Sequence, residues 1–365
     1  MGIQLDKPLE RRKTMKNRVV TESLGLLSTG RAAKASRKAL WLLAAITLSG
    51  TAACDDSSPN DELPPVESKP APLPEAARGP AIDSAKGYLV EEIKDGLYYM
   101  TDGVYQNMFL TTGQGVIVVD APPSYQGKLT RAIAEVTGEP ITHLIYSHSH
   151  ADHIGGAGAL PPGITIIAHE ETNLQLARAN DPNRPLASET FTDTFTLDVG
   201  TQHLELAYKG PQHEPGNIYI YAPGQKTLMV VDIIFPGWTP FKSLAIAEDA
   251  PSFVAAHDDI LAYDFDVLIG GHLTRRGTRA DVEIQKEYIT DIRNNALMSL
   301  QTVDFNAIGQ KVGFDNPWAL FSAYLDEVAD RCAAATVPKW IDRLGAVDIF
   351  TRTHCAVFGD SLRVD

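Results

Sequence analysis

The stretch Leu144-Ile145-Tyr146-Ser147-His148-Ser149-His150-Ala151-Asp152-His153-Ile154-Gly155-Gly156 decides how this chain is read. An apolar, strand-like run delivers three imidazoles and a carboxylate within six residues, and a Gly pair follows. Neutral imidazole and carboxylate are the donors that divalent zinc prefers. In an extended loop at a strand end, side chains at i and i+2 point the same way. His148 and His150 can therefore serve one ion, with Asp152 and His153 serving a second beside it. The competing reading is a coincidental polar loop, and with only 10 histidines in 365 residues such a cluster would be a rare accident.

A two-metal site needs more donors than one loop supplies, and three more stand just past later apolar strands. His213 lies in Gly210-Pro211-Gln212-His213-Glu214-Pro215-Gly216-Asn217, between two strands. Asp232 directly follows Leu228–Val231, and His272 follows Val267–Gly270. Taken singly, each is more often a turn residue. In this order after the six-residue motif, they read as the missing ligands. The other histidines (His143, His169, His203, His257 and His354) read as structural or exposed.

Working outward, Gly115–Asp120 is a continuous apolar run of the kind buried on both faces of a sheet. A helix-like stretch, 125–136, and the strand before the motif come next. A further strand and helix cover 164–178. Short alternating strands broken by Gly and Pro fill 190–235. A helix near 252–261 and the strand 267–270 complete the set. Two β-rich halves with helices between them predict an α/β (α+β) four-layer αββα sandwich rather than a doubly wound sheet. The catalytic domain is placed at 81–279. Residues 280–365 are predicted as a mainly helical extension packed on it, with helices over Ala319–Ala335 and Val337–Leu344. The apolar loop Phe235–Phe241 reads either as a lip of the pocket or as packing for the C-terminal helices.

The N-terminal part has another logic. Arg31, Lys34, Arg37 and Lys38 precede the apolar block Ala39–Leu48, and small residues lead up to Cys54, the pattern of a secretory signal. Its end resembles a bacterial lipobox, which implies a signal peptide over 1–53 with a long positive extension and lipidation of Cys54. Residues 54–80, rich in Pro and acidic residues, read as a disordered tether. The expected location is the cell envelope, lipid-anchored and facing the periplasm. The chain carries −14; removing the +7 of residues 1–53 leaves −21. So acidic a remainder repels nucleic acid, which argues against a nuclease. The expected partners are a small-molecule substrate and, through the lipid alone, a membrane; the oligomeric state is open. In an oxidising compartment Cys332 and Cys355 can pair, the alternative being two buried thiols.

These residues together resemble the metallo-β-lactamase-fold superfamily over roughly 88–275. The resemblance implies one metal on His148, His150 and His213 and a second on Asp152, His153 and His272, with Asp232 bridging. Asp120 matches a family residue that braces the signature loop. The implied cofactor is two Zn2+, with iron or manganese as other occupants. The implied activity is a hydrolase in which hydroxide held by the metal pair cleaves a C–N or C–O bond, Asp152 orienting it and taking its proton. Asp232 stands where the best-known β-lactamase subclass has cysteine, so a lactone, ester or thioester fits as well as a β-lactam. Two further readings stand beside it: a mononuclear iron sulfur dioxygenase on the same fold, and a non-catalytic binding lipoprotein.

Overall fold

The computed structural model of the protein describes residues 69–364. The expected signal peptide, Cys54 and the first part of the tether lie outside them. Twelve described strands form two sheets. The first contains β1 (Leu89–Lys94), β2 (Leu97–Thr101), β3 (Gln106–Thr111), β4 (Val116–Val119), β5 (Ile141–Ile145), β6 (Thr165–His169) and β7 (Glu189–Phe191), in sequence order. The second runs β12 (Val267–Ile269), β11 (Thr227–Val230), β10 (Ile218–Ala222), β9 (Gln202–Tyr208), β8 (Thr194–Val199).

Side-chain alternation along each strand sorts residues into layers. In β4, Ile117 and Val119 face inward, where they join Leu110, Ile145 and Ile167 against Leu206, Ile220, Met229 and Ile269 of the other sheet. Val116 and Val118 face outward, under α1 (Lys128–Val136), the short α2 (Ala151–Ile154) and α3 (Glu170–Ala179). All four residues of β4 are buried, as its unbroken apolar run predicts. The outer face of the second sheet, including Tyr219, Leu228 and Leu268, is covered by α5 (Ala250–Leu261), α6 (Arg279–Thr302), α8 (Pro317–Trp340) and α9 (Val347–Val364), with the short α4 (Lys242–Ile246) against α9 and α7 (Phe305–Val312) against α8. The result is the αββα sandwich, with its second helical layer thickened by the C-terminal segment. Among the described residues no helix is long and apolar enough to cross a membrane.

Two local expectations are not met. Residues 69–80, expected as the end of a disordered tether, lie along the domain. Ala77 is buried and its carbonyl accepts from Trp238 Nε1 at 2.8 Å, while the Ala71 amide donates to Asp348 at 2.7 Å. Composition alone could not see those tertiary partners. Second, 319–335 and 337–344 are not two helices. α8 continues to Trp340 through Pro338, which removes one i→i−4 hydrogen bond but does so within the last turn, so that only Lys339 and Trp340 of the helix follow it. Asp152 and His153 lie on the short α2, and His150 is its N-terminal flank. Cys332 and Cys355 form a disulfide between α8 and α9.

Candidate metal centre

The strands β4 and β5 are parallel, as are β11 and β12, and their carboxyl ends open on one edge of the sandwich. There the two sheets are stitched together: the Gln106 amide donates to Gly271 O and the Leu273 amide to Val104 O, both at 2.7 Å. All seven expected ligands converge on this edge. They fall into two groups: His148, His150, His213 and Asp232, and Asp152, His153 and His272; within each, the donor atoms lie within 4.8 Å of one another.

Asp232 sits between them. Its Oδ2 is 3.5 Å from His148 Nε2, 3.4 Å from His213 Nε2 and 3.2 Å from His153 Nε2, and its Oδ1 is 2.9 Å from His272 Nε2. His213 Nε2 and His150 Nδ1 approach to 3.1 Å, and His153 Nε2 and His272 Nε2 to 3.2 Å. Donors about 2.0–2.1 Å from one ion in a tetrahedral shell stand about 3.3 Å apart. The spacing of the imidazoles therefore fits a cation between them.

Each ring is turned by an outer partner. Ser147 Oγ lies 2.8 Å from His148 Nδ1, which leaves Nε2 facing the cluster with no other buried partner. Glu214 was not singled out from the sequence, though it is adjacent to His213. It accepts from the Ser149 amide at 2.6 Å and from His150 Nε2 at 3.1 Å, leaving His150 Nδ1 for an ion. Such outer contacts fix tautomer and orientation. Asp120 accepts from the Ser147 amide at 2.8 Å at the base of the loop, the bracing role its resemblance implied. Asp120 and Asp232 both adopt positive φ, 58° and 63°, a region Asp tolerates better than most residues. Gly271, at φ 92°, passes so close to Val231 and His153 that a Cβ would meet their side chains.

The electrostatics suit an ion. Burial opposes ionisation of Asp232, yet His153 and His272 hold its carboxyl well below the usual range. Burial drives His213 down to about 3, with His148 and His150 adding to that effect, so it stays a neutral donor. At His153 burial acts downward, but Asp232, Asp152 and Asp120 outweigh it and raise the group to about 9. That half of the site attracts positive charge. Burial acts upward on Glu214, but His150 and His148 hold it at about 2.

The ligands open into a cavity of about 520 Å³. Tyr105 stands beside His153 and His272, and burial, then Asp152 and Asp232, raise its phenol to about 12, so it keeps its proton. The loop Phe235–Phe241 serves both of its expected roles. Phe235, Trp238, Thr239 and Phe241 line the cavity, while Trp238 packs over Gly345 and Phe241 against Phe350. Ala346, Ile349 and Phe350 at the start of α9 close the same wall. None of these three was marked by any feature of the sequence.

The five remaining histidines stay outside the centre. Three pair locally: His169 caps α3, His203 pairs with Asp198 on the surface, and buried His257 meets Gln285. His143 is only partly buried, beside Thr142, and His354 is buried under the 240–244 turn.

Residues 101–272 match the sequence model of the Metallo-beta-lactamase superfamily. The domain built by these residues belongs to that superfamily, and with this donor set its centre is a divalent-metal site. Among curated relatives, the 2,4-dinitroanisole O-demethylase subunit alpha of a Nocardioides strain is 30% identical over 53% of this chain and 61% of its own length. The Metallo-beta-lactamase type 2 of Elizabethkingia meningoseptica is 28% identical over 40% of this chain and 63% of its own. The chain thus spans less than two thirds of these relatives. A solved metallo-beta-lactamase from Pontibacter korlensis superposes with a TM-score of 0.49 at 20% identity, covering 55% of this chain and 97% of that one.

Proposed function

We propose that the chain is a zinc-dependent hydrolase holding two ions and cleaving a C–O or C–N bond of a small molecule. The observation that carries this reading is the Asp232 carboxylate, with one oxygen toward His148, His153 and His213 and the other on His272. His148, His150 and His213 would hold one ion and Asp152, His153 and His272 the other. When bound, such a pair supplies Lewis acidity and lowers the pKa of water toward neutrality. Asp152 is partly exposed at the cavity floor, so its carboxylate can accept a proton from the attacking water and return it to the leaving group. Tyr105, protonated and beside Asp152, offers a proton donor next to that transfer. Glu214 keeps His150 in one orientation throughout. Relatives named as an O-demethylase and as β-lactamases support the class of reaction and leave the substrate open.

The test is a panel of β-lactams, acyl lactones, aryl esters and thioesters with zinc-loaded protein. Turnover of at least one, abolished by chelator and restored by zinc, supports the reading. Loaded protein inert toward all of them opposes it. The proposal extends to location: lipidation at Cys54 would tether the enzyme at the cell envelope. The mass of the N-terminal peptide from a bacterial host tests this.

A further inference from the structure

The wall of the cavity carries information that the ligands do not. Four of the large apolar side chains left exposed on the described surface ring this one opening: Val104 (53% exposed), Phe241 (49%), Ile246 (60%) and Ile349 (48%). Leaving a contiguous apolar rim in water is unfavourable, and such rims mark binding sites. Among the described residues no Lys or Arg lines the cavity, and the charged side chains that do line it belong to the metal centre.

The rim is held in place at a conformational cost. Ser243, Leu244, Ala245 and Ile246 all have φ between 55° and 58°, a full turn of left-handed helix without a single glycine. Side chains strongly disfavour that conformation. Helix α9 holds it there: Thr353 Oγ1 accepts from the Ser243 amide and His354 Nδ1 from the Leu244 amide, both at 2.9 Å. His354 Nε2 donates to Pro240 O at 3.1 Å, closing the turn from its other end. Leu244 is sunk into the core, and Ala245 and Ile246 face the cavity. Strain maintained to present apolar groups at an opening argues that those groups have a use.

Resting on the hydrolase reading above, we propose that this cavity selects uncharged substrates bearing an apolar acyl or aryl group, seated against Phe241, Ile246, Ile349 and Phe350, and discriminates against substrates carrying a carboxylate on that group. A carboxylate there would lose water and find no charge-assisted donor in return. An apolar group would cover the rim.

The test uses the zinc-loaded full chain and two non-hydrolysable ester analogues: benzyl pentyl ketone, and the same ketone with a carboxylate at the far end of its alkyl chain. Calorimetry should show the neutral ketone binding at least tenfold more tightly. Ile349→Arg, at a half-exposed position, should erase or invert that preference, and Ile349→Ala should weaken the neutral ketone severalfold without helping the acid. Equal binding of the two ketones, or a preference that Ile349→Arg leaves unmoved, overturns the proposal. Selective binding of the neutral ketone by zinc-loaded protein inert toward every β-lactam, lactone, ester and thioester of the panel supports the cavity's selectivity while refuting the hydrolase reading. Cleavage of neutral and carboxylated esters at equal kcat/KM does the reverse.

Discussion

The floor and the wall of the cavity are built on opposite terms. The floor is polar, assembled at the ends of buried strands; four of its donors come from one six-residue run and three from later strand ends, steadied by outer partners such as Ser147, Glu214 and Asp120. The wall is apolar and drawn from segments far apart in sequence: Val104, the turn at 243–246 and the start of α9. The floor lies within residues 101–272, as do Val104 and the 243–246 turn of the wall, whereas the α9 part of the wall lies wholly beyond them. The chemistry of the reaction thus resides in one region and the choice of substrate in another, and the two can be perturbed separately.

The largest expected effect breaks the floor. His213→Ala should lower kcat/KM by about a thousandfold or more, since it removes a donor whose ion the reaction requires. Its melting temperature without zinc should stay near that of the parent. Comparable turnover in the variant would remove His213 from the centre.

A second perturbation acts behind the wall. The Cys332–Cys355 bond closes a loop across a separation of 23 residues and ties α9 to α8. Replacing both with Ser should cost about 3 kcal/mol of stability by denaturant titration, on the loop-entropy estimate. The metal content should not change. Loss of zinc in that variant would mean that floor and wall are not separable.

Glu214→Gln gives a smaller effect on the floor. Outer-shell partners of ligating histidines are typically worth tenfold to a hundredfold in metal affinity or activity. A competition titration with a zinc chelator should show a loss in that range. Unchanged affinity would reduce Glu214 to a loop brace.

The last effect is gradual, a pH slope from the wall. Burial holds the His354 imidazole down at about 3, against about 6.5 in the unfolded chain. Between those values the unfolded state binds the extra proton, so stability falls as pH drops below about 6.5 and continues to fall toward 3. One such proton contributes about 1.4 kcal/mol per pH unit. His354→Gln should flatten the acid limb of the stability curve by about that slope. An identical limb in both proteins would contradict the buried neutral imidazole, whose Nδ1 must stay unprotonated to accept from Leu244.

The same division explains what could be read in the sequence. Metal chemistry demands particular residue types, and strand ends demand apolar runs just before them, so His148, His150, Asp152, His153, His213, Asp232 and His272 were all visible as letters. β4 was visible for the same reason, since a strand buried on both faces has to be continuously apolar. Glu214 carried a faint signal, a carboxylate beside a ligand in a turn, and its partner His150 is 64 residues away. The wall carried less: only the apolar loop Phe235–Phe241 was legible as a candidate lip. Ile349 and Phe350 look like any helical apolar residues until α9 is docked. The left-handed turn contains no Gly or Asn to announce it, because Thr353 and His354 enforce it from outside. His354 read as a structural or exposed histidine, and it is the structural kind. The ordered course of 69–80 was hidden in the same way: its partners, Trp238 and Asp348, are more than 150 residues downstream.

If Asp232 joins two ion sites into one centre, the metal content of the purified chain shows it. About two zinc ions per chain are expected at saturation, with Asp232→Ala losing at least one. A single ion per chain at saturation would contradict it, and a single iron accompanied by oxygen consumption would replace it with an oxygenase.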